Sequence, residues 1–164
     1  LINLNRDQPF AQISNENSPW PKAEGRDTRA KNIRFRGYFL SGEQRHPVFG
    51  YKIGKNLNVT DYVEPQAGSL PSIIRNLRIR GTDEVWYLAA SGKSISEDNG
   101  YYNIDNSMLQ IGFPELDDLS PIIRENSGRE ELLFKLKIDG QLSLKQHYRW
   151  NVKQILKEHA HEKK

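Results

Sequence analysis

From Ile33 onward, apolar and polar residues alternate with a period of two in short runs, and Gly, Asn, Asp or Pro interrupts the runs at close intervals. Period two is the signature of a strand with one buried face, because successive side chains point to opposite sides of the backbone. Ile33, Phe35, Gly37 and Phe39 share one side and Arg34, Arg36, Tyr38 and Leu40 the other, so residues 33–40 read as a strand. "SGEQRHP" reads as a turn. Pro47, Phe49, Tyr51 and Ile53 then line one side of a second strand, "GKN" turns the chain, and Leu57, Val59 and Val63 mark a third, which predicts a β-meander.

The pattern continues downstream. "IIRNLRIR" and "EVWYLAAS" predict another strand pair joined at Gly81, Thr82 and Asp83, with Trp86, Leu88 and Ala90 facing inward. Residues 101–104 and 107–112 predict two short strands around a tight turn at Asp105 and Asn106, and Pro114 to Arg129 reads as loop. Leu132, Phe134, Leu136 and Ile138, then Asp139-Gly140, then Leu142, Leu144, Tyr148 and Trp150 predict a hairpin, since Asp-Gly suits the positive φ angles of a type I′ turn. Asn151 is a suitable N-cap for a short helix or linker carrying Val152, Ile155 and Leu156.

Some 8–10 short strands with almost no helix predict an all-β, antiparallel β-sandwich of the supersandwich type, with a closed barrel as second choice. Residues 1–150 are expected to form one domain, with 1–31 an irregular segment packed on it, and 151–164 to follow as helix or linker. The 164 residues suffice for a single core. The chain begins at Leu1, and the expectation is a segment of a longer polypeptide.

Composition narrows the chemistry. With no cysteine the chain has no disulfide, thiolate nucleophile, cysteine-ligated zinc, iron–sulfur cluster or covalent haem attachment of its own. The 24 Lys and Arg against 21 Asp and Glu give a net charge of +3, with the cations spread along strands, so a nucleic-acid partner is not expected. No apolar run reaches the roughly 18 residues that span a bilayer, so no membrane span is expected either.

Trp20 sits between two prolines in "SPWP", a stiff extended segment that either plugs the core or presents the indole to a ligand. Asp61 interrupts the apolar side of its strand and, with Glu64, makes a carboxylate pair near a sheet end. An inward carboxylate needs a partner, and Arg34, Arg36, Arg75, Arg78 and Arg80 are the available forks. The four histidines and the acidic run Glu115, Asp117, Asp118 form no recognised metal pattern. Strand arginines beside aromatic rings suit a sugar- or anion-binding face. Trp20, Arg36, Tyr38, Asp61 and Trp86 are therefore the candidate ligand-binding residues, with no catalytic and no metal residues assigned.

The order "SPWP", "IRFRGYFL", "HPVFGYKIG", "NVTDYVEP", "SIIRNLRIRG", "VWYLAASG" and "LFKLKIDG…KQHYRW" resembles a haem-free, β-rich segment of large exported proteins of planctomycetes and related bacteria. Those proteins combine a sugar-dehydrogenase-like propeller with a c-type cytochrome domain. The resemblance spans about residues 10–150 and implies an extracytoplasmic oxidoreductase, periplasmic or secreted. Haem c would then lie in a neighbouring domain, because this chain lacks Cys-x-x-Cys-His and holds no cofactor itself. The expectation is a non-catalytic scaffold or substrate-recognition domain whose partners are neighbouring domains. Two alternatives stand beside it. A carbohydrate-binding module would show coplanar exposed rings among Trp20, Tyr38, Tyr62, Trp86, Tyr101 and Tyr102, and a sandwich-fold sugar hydrolase or epimerase would show paired carboxylates or a His in a cleft.

Overall fold

A computed structural model describes residues 8–21, 32–43, 45–68, 72–107, 109–116 and 119–150. The described residues contain ten strands and no helix: β1 (Phe10–Ala11), β2 (Ile33–Ser41), β3 (His46–Ile53), β4 (Leu57–Gln66), β5 (Ser72–Gly92), β6 (Ile95–Asp98), β7 (Tyr101–Ile104), β8 (Leu109–Gly112), β9 (Ile122–Asn126) and β10 (Arg129–Trp150). All pair antiparallel in one open sheet of order β2-β3-β4-β5-β10-β8-β7-β6, with β1 on β5 and β9 on β10. The all-β, sandwich-like class is as expected, and the second-choice barrel is not formed because β2 and β6 are the two ends of the path. The helix or linker expected at 151–164 lies outside the described residues.

Two expected hairpins are absent. Residues 72–92 and 129–150 are each one unbroken strand, and the two pair with each other along their length, from Glu130 opposite Gly92 to Tyr148 opposite Ile73. Gly81 and Gly140, the glycines that read as turns, stand directly opposite one another with φ of 137° and 88°. Positive φ is accessible to glycine at little cost, so both strands bend at the same level and the ribbon folds without reversing either chain. At Gly81 the Asn56 carbonyl closes against the space a Cβ would fill, so the bend also depends on the missing side chain.

Folding the ribbon brings the inner faces of its two halves together. Ile53, Leu57, Leu77 and Ile79 from one half and Val85, Tyr87, Leu132, Phe134 and Leu136 from the other form one cluster, each at most 1% exposed. Full burial of such a side chain contributes about 1.5–3 kcal/mol. Phe134 packs edge-on against Phe113 at 4.6 Å and lies 6.5 Å from Tyr87. A bulge where the register shifts between Leu132 and Leu133 turns Ala90 into this cluster. Trp86 and Leu88 point to the opposite side and are buried with Ala11, Trp20 and Leu133 in a second cluster. Both sides of Val85–Leu88 are thus covered, which explains the uninterrupted apolar run there.

Smaller departures have local causes. The stretch 114–129 contains β9, which pairs with β10 across Ser127 and Gly128, both at positive φ. β6, for which the sequence reading has no strand, pairs with β7, and His46 and Pro47 open β3 rather than belonging to the turn. Asp105 and Asn106 do form the turn between β7 and β8, with φ of 55° and 52°.

Candidate functional site

A register shift between Phe35 and Gly37 leaves Arg36 as an extra residue opposite β3, so the side-chain alternation of β2 inverts there. Phe35 faces Tyr51 and Tyr38 faces Phe49, with ring centroids 5.7 and 6.1 Å apart, which puts Phe35 and Tyr38 on the same face. That departs from the strict alternation expected of 33–40. Arg36 lies on the other face, its Cβ near the position a Gly50 side chain would take.

The face shared by Phe35, Tyr38, Leu40, Phe49 and Tyr51 is the continuation of the one that buries Ile53 and Leu57. It begins sealed and ends open. Ile53 is fully buried, whereas Phe35 is 56% exposed, Tyr38 64% and Leu40 44%. Val63 on β4 extends the open apolar strip.

At the boundary between sealed and open sits Asp61. Its carboxylate accepts from Arg75 Nε at 3.0 Å and Nη2 at 2.6 Å, a two-pronged pair in which the aspartate is buried and the arginine half-buried. Burial works against the Arg75 charge, but the hydrogen-bonded Asp61 carboxylate favours it, and its pKa is raised. The Tyr87 hydroxyl donates to Gln146 Oε1, and Gln146 Nε2 donates to the Ala89 carbonyl at 3.1 Å, tying one half of the bent ribbon to the other. Burial raises the phenol pKa of Tyr51, Tyr87 and Tyr148. Neutral phenols and a carboxylate engaged by an arginine fork make this cluster a structural bolt without a free base.

The five sequence-derived candidates do not converge. Trp20 and Trp86 are 3% and 2% exposed, and the Trp20 Nε1 donates to the Gln8 carbonyl at 3.0 Å, so the indole plugs the second cluster instead of facing a ligand. The loop carrying it is held by Arg124, which bonds the Ser18 carbonyl at 2.6 Å and Glu131 at 2.8 Å. Asp61 is consumed by Arg75, the partner chosen from the five arginines. Glu64 lies on the opposite face, where it accepts from Asn76 at 3.0 Å, so the expected carboxylate pair is not assembled. Only Arg36 and Tyr38 remain accessible, beside a shallow depression floored by Gly37, Gly50 and Thr60. Sequence reading passed over Phe35, Phe39 and Phe49 here, although a glycine inside a strand, Gly37, was the available sign of a bulge.

Among the described residues no three His, Asp or Glu side chains converge as metal ligands, and no helix is long and apolar enough to cross a membrane. Glu115 binds Lys145 at 2.8 Å and lies 3.9 Å from His147, whose pKa burial lowers; Asp117, Asp118, His159 and His161 lie outside the described residues. Of the rings that a sugar platform would use, Tyr62, Tyr101 and Tyr102 are half-buried, and the Arg149 guanidinium covers Tyr101 at 3.2 Å. No known protein family, curated protein or solved structure matches the chain.

Proposed function

We propose that this chain is a non-catalytic docking and recognition domain, with the β2–β3 hairpin as its contact surface. The observation that carries the reading is the inner sheet face that is sealed at Ile53 and lies uncovered at Phe35, Tyr38 and Leu40. A core face left open at one end is suited to closure by a neighbouring domain. Its setting, an extracytoplasmic oxidoreductase with haem c in another domain, is drawn from the sequence resemblance. Amide hydrogen exchange tests the docking role: β2 and β3 should exchange at least about tenfold more slowly in the full-length gene product than in this chain alone. Equal rates in the two would refute it. The redox setting is tested separately by the encoded polypeptide, which should carry a Cys-x-x-Cys-His motif.

A further inference from the structure

The face of β2–β5 opposite the aromatic strip carries a concentration of positive charge that neither the net charge nor the docking surface requires. Successive strands bring Arg34, Lys52, Asn58 and Arg80 into one row and Arg36, Gly50, Thr60 and Arg78 into the next. Five cations occupy two adjacent rows, and the rows contain no acid. Among the described residues no carboxylate lies within ion-pair distance of these five. Arg80 is positioned by Gln141, whose Oε1 accepts from its Nε at 2.8 Å. The nearest acids on this face bound it: Glu64 on the far side of Tyr62, engaged by Asn76, and Asp139 beyond the Gly81–Gly140 bend.

The layout is a trough. Strands lie about 4.8 Å apart, so Arg34 and Arg80, three strands from one another, stand about 14 Å apart at the backbone. Between the two cationic banks, the floor is Gly50, Thr60 and Asn58, short or absent side chains with an exposed amide and a hydroxyl. The depression lined by Arg36, Gly37, Phe39, Gly50 and Thr60 adjoins this floor, and Tyr38 and Phe49 border it from the edge of the aromatic strip.

We infer that this face binds a linear anionic polysaccharide, its sulfate or carboxylate groups held by the arginine forks and its hydroxyls by Asn58 and Thr60. Arginine matches planar or tetrahedral oxyanions with two parallel hydrogen bonds, and isolated charges so spaced suit an extended chain of repeating anions. Single-stranded nucleic acid would call for a row of exposed rings on which bases stack, and this face offers one well-exposed ring, Phe39, at 60%. The trough is on the opposite side of the sheet from the proposed docking strip, so the two readings stand or fall separately.

The test is titration of the whole chain with dextran sulfate, polygalacturonate, oligo-dT and duplex DNA, each at the same series of salt concentrations. Binding to at least one of the two polysaccharides is expected, with affinity falling as salt rises. The double variant R36Q/R78Q should weaken it by at least about tenfold, since each fork makes charge-assisted bonds. K135Q/K137Q removes the same net charge from the other end of the ribbon and should leave binding within about twofold, as an exposed distant charge is screened. Thermal melts confirm that both variants remain folded. No binding to either polysaccharide, tighter binding to a nucleic acid, or equal losses in the two double variants would each overturn the inference.

Discussion

The Asp61–Arg75 pair lends itself to a quantitative test, because both partners can be removed separately and together. Asp61→Asn keeps the shape but leaves the guanidinium facing a neutral amide that donates as well as accepts. Breaking a buried ion pair by removing one partner costs about 3–5 kcal/mol. The Arg75 side chain is 23% exposed, so water recovers part of its charge, and the cost of Asp61→Asn should be about 2–3 kcal/mol. Arg75→Met strands the aspartate, whose side chain is only 8% exposed, and should cost more, about 3–4 kcal/mol. The double variant has no orphaned charge and should be less destabilised than the sum of the singles by about 2 kcal/mol. Urea unfolding at pH 7, followed by the fluorescence of buried Trp20 and Trp86, gives all three values. Additivity within about 0.5 kcal/mol, or single losses below about 1 kcal/mol, would show that the pair does not couple the two strands as the geometry requires.

Three further outcomes are expected. Gly81→Ala should destabilise by clearly more than Gly140→Ala, because both force a Cβ into positive φ at about 1–3 kcal/mol but only Gly81 also meets the Asn56 carbonyl; equal melting shifts would refute that account. Phe134→Ala should cost about 3–5 kcal/mol in urea unfolding, with a loss under about 1 kcal/mol contradicting its place in the core. Tyr51, Tyr87 and Tyr148 all have phenol pKa values raised above the ordinary 10, so the unfolded chain releases protons first and stability present below pH 10 should fall as pH rises beyond it. Urea midpoints from pH 8 to 11 check this, and a flat profile would contradict the burial of these hydroxyls.

What the sequence revealed depended on whether the deciding contact was local. The Asp105–Asn106 turn and the alternation of β3 and β4 are properties of neighbouring residues, and they were legible. Asp61 was legible as an inward carboxylate in need of an arginine because burying a lone charge is costly whatever the fold. Asp139-Gly140 misled for a physical reason: the positive φ that lets a two-residue turn reverse a chain also lets a strand bend and carry on. Only the pairing of Gly140 with Gly81, 59 positions away, decides between them. The inverted face of β2 was signalled by Gly37 alone, because the register of Arg36 is set by β3. The two tryptophans gave no sign of which side of the sheet would be sealed, since that depends on Arg124 drawing the Ser18 loop across.

The bent β5–β10 ribbon also bears on how the molecule comes apart. Neither strand ends at the fold, so each contributes backbone pairing to both halves, and loss of one half frays the other. Pairing partners as far apart as Ile73 and Tyr148 must meet before the two layers can close. The chain should therefore fold slowly for its size and melt as a single cooperative unit, with no half surviving alone.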